Sequence, residues 1–255
     1  MIHYHGGPIT PEVAALRAWS GRHAFVSFAH PYQITLAASI CQSFALDNGA
    51  FTFWKQGGSL DLPGYYAWSG EWLNHPACDW AVIPDVIGGI EEENDDLLHD
   101  WPHGTRGVPV WHLNEDPARL RYMAKHWPRI ALGSAAEYDV KTPSKCLARL
   151  ADVLPGISDS SGRPLVKLHG LRMLSSKIMT RVPLASADST NVARNIGIDK
   201  AWTGTNAPAT KETRAAVLVE RIERYQSPPT MVWEPPAPKP AAAWEDVSMF
   251  QEDAA

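Results

Sequence analysis

The segment VPVWHLNEDPARLRYMAKHWPRIALGS (residues 108–134) contains a complete strand–helix–strand unit. An apolar run, Val108–Asn114, ends in polar residues. Asp116 and Pro117 then supply a helix N-cap and a first-turn proline, whose missing N–H would have had no partner there in any case. Leu120, Met123 and Trp127 follow at spacings of three and four, which puts them on one helical face. A second apolar run, Arg129–Ser134, starts directly after Pro128.

Outward from this unit the same device recurs. TPSKCLARLADVL (residues 142–154) opens with Thr142-Pro143 and aligns Leu147, Leu150 and Leu154 on one face. TKETRAAVLVERIERY (residues 210–225) reads as a long final helix. Further strand candidates are His23–Ala29, Ser43–Asp47, Trp80–Asp85, Leu165–Gly170, Leu184–Ser189 and Lys200–Gly204. Strand followed by helix, about eight times over, predicts an α/β chain forming a single (β/α)8 TIM-type barrel over residues 1–225. A doubly wound sheet is the competing architecture, but the chain has no G-x-G-x-x-G and no P-loop. After Tyr225 the composition changes. QSPPTMVWEPPAPKPAAA cannot build a core, so residues 226–255 are expected to be a Pro/Ala-rich, poorly ordered tail.

The 255 residues carry 45% hydrophobic and 20% charged side chains, the balance of an ordinary globular protein. No apolar run reaches the length of a membrane span, and MIHYHGGPITPE lacks the basic and apolar regions of a signal peptide, so a cytoplasmic location is expected. The formal net charge of −5 gives no global reason to expect polyanion binding, although basic residues can concentrate on one face. Cys41, Cys78 and Cys146 are scattered, which fits reduced thiols better than a disulfide framework or a zinc knuckle. His3 and His5 could share one face of a strand, but two histidines without a third ligand do not make a metal site.

In a barrel of this kind, chemistry is built at the carboxyl ends of the strands. Those ends hold Asp47, Asp85, His112 with Asn114, Gly133-Ser134, His169-Gly170 and Asp188. A helix-capping role explains any one aspartate. Three at one mouth repel each other, and that cost points to use. Two carboxylates in different environments suit substitution at a sugar carbon, one attacking and the other moving protons. A third suits recognition of a guanine-like edge, since an ionised carboxylate only accepts and that edge offers two donors. Phe51 could supply a flat face for an unstacked base, or simply pack over the barrel rim.

The ordered series LDNGAF, WAVIPDVIG, PVWHLNEDP, IALGS, KLHGL and ASADSTNVARN, from Phe44 to Asn195, resembles the tRNA-guanine transglycosylase superfamily. It looks most like the shortened, phage-type branch that inserts 7-deazaguanines into DNA. HYHGGPITP also looks like the entry segment of those members. The resemblance implies that Asp47 is the acid/base, in a turn written Asp-Asn-Gly-Ala-Phe here and Asp-Ser-Gly-Gly-aromatic in the family. Asn48 and Gly49 would let the backbone approach the base, and Phe51 would stack on it. Asp85 would read the base amine and ring N–H. His112 and Asn114 lie where the tRNA enzymes place a base-reading glutamine. Gly133 and Ser134 match a turn whose backbone contacts the base, and His169 and Gly170 match the wall before the nucleophile. Asp188 matches the nucleophilic aspartate.

The implied reaction is base exchange through a covalent aspartyl–nucleic-acid ester, with a free 7-deazaguanine as second substrate and no cofactor. The family's tRNA enzymes carry a zinc site of three cysteines and a histidine. That cluster is missing from this sequence, so no metal is expected. The shorter chain likewise favours DNA over tRNA as partner. Arg172, Lys177, Arg181 and Arg194 surround Asp188 in sequence and are candidates for a phosphate track, or ordinary solvated charges. Alternatives are a tRNA transglycosylase, an N-glycosidic hydrolase using the same carboxylates, and a non-catalytic barrel that docks a partner through its tail. In phage-encoded form the location would be the host cytoplasm.

Overall fold

The computed structural model describes residues 1–197 and 202–234. Its sheet contains nine parallel strands: β1 (Ile2–Gly6), β2 (His23–Ser27), β3 (Ser43–Asp47), β4 (Cys78–Val82), β5 (Gly107–Val108), β6 (Val110–His112), β7 (Arg129–Gly133), β8 (Lys167–Gly170) and β9 (Ser186–Ser189). The spatial order β5-β4-β3-β2-β1-β9-β8-β7-β6 puts β5 and β6 at the two ends. These two are one stretch of chain interrupted by Pro109, which has no N–H to continue a ladder. The seam closes through carbonyls instead. Ile83 N–H donates to Val108 O, and Ala131 N–H donates to Pro109 O, both at 2.9 Å. Nine short strands therefore make the eight staves of a TIM-type barrel, with helices between them.

One stave differs from the sequence expectation. Residues 202–204 of the expected Lys200–Gly204 strand form a turn, and residues 200–201 lie outside the described residues. The remaining stave is β1, which pairs with β2 on one side and β9 on the other. Its sequence, Ile-His-Tyr-His-Gly, hides the strand because polar His3 and His5 occupy the helix-facing side, where the other staves carry apolar residues. His5 Nε2 lies 3.0 Å from Glu223 Oε1, and Arg22 Nε donates to Glu223 Oε2 at 3.0 Å. The outer face of β1 is thus held by polar contacts with Glu223, at the end of α10 (Lys211–Glu223), and with the Tyr225 carbonyl, which lies 2.8 Å from His3 Nε2.

Side chains alternate inward and outward along each strand. Tyr4, Phe25, Ala45, Trp80, Val82, Val108, Val110 and Ala131 fill the barrel interior as one buried cluster. Phe44, Leu46, Trp111, Ile130, Leu132 and Leu168 face outward into the larger core beneath the helices. α6 (Pro117–His126) is capped as expected, Asp116 Oδ1 accepting from Ala118 N–H at 2.7 Å. It buries Leu120 and Met123 and stops before Pro128, which disfavours helical backbone in the residue ahead of it. α7 (Pro143–Val153) buries Cys146, Leu147, Leu150 and Val153. Its expected Thr142 cap is not formed: that hydroxyl donates backward to the carbonyls of Glu137 and Asp139. Each buried leucine contributes roughly 1.5–3 kcal/mol of transfer free energy.

Residues 226–234 run past the amino-terminal end of the barrel. The Met1 amine donates to Gln226 Oε1, Ser227 Oγ donates to Met179 O, and Val232 N–H donates to Arg181 O. Met231 and Trp233 pack on the core. The rest of the expected tail, 235–255, lies outside the described residues. Among the described residues no helix is long and apolar enough to cross a membrane.

Candidate active site at the carboxyl end of the barrel

Asp47 closes β3, His112 closes β6, Gly133 closes β7 and Gly170 closes β8, while Asp188 is the penultimate residue of β9. Asp85 lies in the loop after β4. The barrel's parallel register turns these widely separated residues toward one mouth, since all the strands end on the same side.

Two glycines allow the close packing around them. Gly49 has φ of +75°, and a Cβ there would meet Ala29 N at 2.8 Å. No other residue fits this turn into α3 (Ala50–Lys55), which presents Phe51 to the mouth. A Cβ on Gly133 would meet His112 Cδ2 at 2.8 Å, so this glycine makes room for the imidazole ring.

Asp47 is a carboxyl group held out of its usual range. Burial pushes it up, and the nearby charges of Asp188 and Asp85 push the same way. A hydrogen bond from Ser27 and the charge of Arg172 pull it down, and the balance is a pKa of about 6. Such a group can hold or release a proton near neutrality, as acid/base catalysis requires.

Asp85 is gripped on both oxygens. Asn48 Nδ2 donates to Oδ1 at 2.9 Å, and its own Oδ1 accepts from Ala50 N–H at 2.8 Å, which fixes the amide orientation. His112 Nε2 lies 3.2 Å from Asp85 Oδ2. The other imidazole nitrogen lies 3.1 Å from Glu115 Oε1, and Arg119 Nη1 donates to Glu115 Oε2 at 2.7 Å. Arg119 continues to Asp95 at 2.8 Å. Burial opposes a charge on His112, but the hydrogen bonds to Asp85 and Glu115 outweigh it and raise the imidazole to about 9. An imidazolium with both N–H groups directed at carboxylates positions Asp85; it has no lone pair with which to accept from a ligand.

Asp188 is 4% exposed. Its Oδ1 accepts from the Arg172 backbone N–H at 2.9 Å and lies 3.4 Å from His169 Nε2. Arg172 is a non-glycine residue with φ of 60°. That backbone conformation turns its N–H toward Asp188, while its guanidinium lies 3.8 Å from the centre of the Phe51 ring. Phe51 is 39% exposed, so the aromatic face is accessible apart from this cover.

The structure does not bring every expected site residue to this centre. Asn114 is exposed and makes no side-chain hydrogen bond among the described residues. The buried polar partner of His112 is Glu115, whose place three residues after His112 and four before Arg119 was the available sequence signal. Ser134 is half-buried beside Gly133. Lys177 and Arg194 are exposed on short helices α8 (Ser176–Met179) and α9 (Asn191–Asn195). Arg181 lies toward the opposite end of the barrel, where its carbonyl holds Val232. Ser27, Ser186 and Arg129 also contribute to the site or its floor, and no sequence signal singled them out.

Among the described residues no group of three or more His, Cys, Asp or Glu side chains is placed to hold a metal ion. The three cysteines are free. The chain matches no known family model, and no curated protein or solved structure is similar to it at a significant level.

Proposed function

We propose that this barrel is a base-exchange transglycosylase that replaces guanine in DNA with a 7-deazaguanine through a covalent aspartyl intermediate. One observation carries the reading: three aspartates share the carboxyl-end mouth, and Asp47 is raised to about 6, chiefly by burial and further by the charges of Asp188 and Asp85. Asp188 is the nucleophile, buried and oriented through Oδ1. Asp85, fixed by Asn48 and His112, is an acceptor for the amine and ring N–H of a guanine-like base. Phe51 offers the stacking face.

In the first half-reaction an Asp188 oxygen bonds to C1′ and the C1′–N9 bond breaks. The departing guanine takes the Asp47 proton on a ring nitrogen. In the second, ionised Asp47 removes the N9 proton of the incoming 7-deazaguanine. N9 then bonds to C1′ while the ester C1′–O bond breaks, which regenerates the Asp188 carboxylate and protonated Asp47.

The test is incubation of the purified chain with duplex DNA, single-stranded DNA or bulk tRNA, each with a panel of 7-deazaguanines, followed by nucleoside mass spectrometry. A deazaguanine nucleoside in DNA, absent with Asp188→Asn, is the expected result. Incorporation into tRNA alone would keep the mechanism and move the substrate. Released guanine without incorporation would make the protein a hydrolase, and silence in every arm would sink the enzyme reading.

A further inference from the structure

We propose that Arg129, Ser186 and His169 form a buried positioning relay that fixes the tautomer of His169 and leaves Oδ2 of Asp188 as its attacking atom. The second half of this statement rests on Asp188 being the nucleophile; the first does not.

His169 and Ser186 are both fully buried inside the barrel, on the neighbouring strands β8 and β9. The imidazole is enclosed by Tyr4 from β1, Phe25 from β2 and Trp80 from β4, with ring centres 5.9, 5.5 and 4.7 Å away. Its Nδ1 lies 2.9 Å from Ser186 Oγ. Arg129 Nη1 donates to the same Oγ at 3.0 Å.

Hydrogen-bond direction follows from the donor inventory. Arginine only donates, so one lone pair of Ser186 Oγ is taken. The single hydroxyl hydrogen then goes to His169 Nδ1, which must accept. The reverse arrangement would leave the hydroxyl hydrogen buried with no acceptor among the described residues, a cost of about 1–3 kcal/mol. Burial lowers the imidazole's proton affinity, as does the Arg129 charge, against the pull of Asp188. A neutral ring that accepts at Nδ1 carries its hydrogen on Nε2.

That Nε2 lies 3.4 Å from Asp188 Oδ1 but is not aligned as a hydrogen bond. The contact is therefore an electrostatic one to Oδ1, the oxygen that also accepts from Arg172 N–H. Both donors therefore act on Oδ1, and no hydrogen bond reaches Oδ2 among the described residues. With Oδ1 engaged in this way, Oδ2 is the oxygen left free of hydrogen bonds among the described residues and so the one assigned to attack the sugar carbon. His169 touches no substrate in this arrangement; it is a positioning residue, and the opposite tautomer would turn a lone pair toward Asp188.

The first experiment is nitrogen-15 NMR of the full chain labelled at histidine. The expected result is a neutral His169 with protonated Nε2, and loss of that preference in Ser186→Ala. A wild-type ring protonated at Nδ1, or at both nitrogens, would overturn the proposal without reference to activity. The second is the rate of covalent adduct formation with DNA. His169→Gln keeps an amide donor near the Nε2 position and should stay within about tenfold of wild type. His169→Asn moves that donor to the Nδ1 position and should fall about 100-fold. Equal losses in two folded variants would refute the link to Asp188. An Nε2–H tautomer in a protein that forms no adduct would support the relay and defeat the transglycosylase reading instead.

Discussion

The Arg172 guanidinium lies 3.8 Å from the centre of the Phe51 ring, while the backbone N–H of the same arginine holds Asp188 Oδ1 at 2.9 Å. A planar cation thus occupies the stacking distance above the ring that a purine would take. The side chain and the backbone of Arg172 have separate tasks, so a substitution separates them. Arg172→Ala keeps the N–H and removes the cover, whose cation–π contact is worth about 0.5–2 kcal/mol. Free 7-deazaguanine should then bind roughly two- to thirtyfold more tightly by calorimetry. Phe51→Ala should weaken the same binding by about 1–3 kcal/mol. Equal weakening by both substitutions would show that Arg172 holds the base and does not compete with it.

The two half-reactions should depend on pH in opposite senses. Asp47 is protonated below its raised value of about 6 and ionised above it. Departure of guanine needs the proton, so single-turnover adduct formation should slow as pH rises through about 6. Attack by the incoming base needs the carboxylate, so resolution of a preformed adduct should speed up over the same range. Asp47→Asn should abolish both dependences. Parallel profiles for the two steps would assign the proton transfers to another group.

His112 ties stability to pH. Its folded value of about 9 lies above the ordinary 6.5, so the folded state binds the extra proton between those limits. The stabilisation is fully present below about 6.5 and is lost as pH rises through about 9. Denaturant titrations should show the loss in that window, and His112→Leu should flatten it. Asp47 acts with the same sign at lower pH: its folded value of about 6 exceeds the ordinary 3.8, so its contribution is lost as pH rises through about 6. Removing the imidazolium leaves Asp85 without its cationic partner, while Glu115 keeps Arg119, and should cost up to about 3–5 kcal/mol.

Gly133→Ala should disturb Asp85 without touching it. The new Cβ would meet His112 Cδ2 at 2.8 Å. The ring must then turn away from Asp85, its proton affinity should fall, and guanine-edge recognition should weaken. The NMR titration of His112 reads this directly; an unchanged midpoint would mean that the backbone absorbs the extra methyl group. A surface control, Ser39→Ala, removes a hydrogen bond within its own helix and should leave that midpoint in place.

Much of this architecture was legible in the sequence because it is set by neighbours along the chain. The period of three and four in residues 117–127, the Asp116-Pro117 start and the Pro128 stop define a helix from local geometry alone. Asp47 and Asp188 could be placed at strand ends for the same reason, whereas Asp85, expected to end a strand, lies three residues beyond β4. The first stave was not counted among the strand candidates, although His3 and His5 could be seen to share a strand face, because their partners, Tyr225 and Glu223, lie more than two hundred residues away.

What only the tertiary structure decided is how the groups at the mouth meet. Local pattern gave no means of choosing Glu115 over Asn114 as the partner of His112. Nor could it place the Arg172 side chain over Phe51 and carry Arg181 to the far end of the barrel. The seam at Pro109 and the direction of the Arg129–Ser186–His169 hydrogen bonds arise only when strands distant in sequence come into register. Backbone periodicity is a property of adjacent dihedral angles, and a sequence displays it directly. Side-chain pairing across a closed barrel depends on which staves become neighbours and on which inward positions share a layer, and both are consequences of closure.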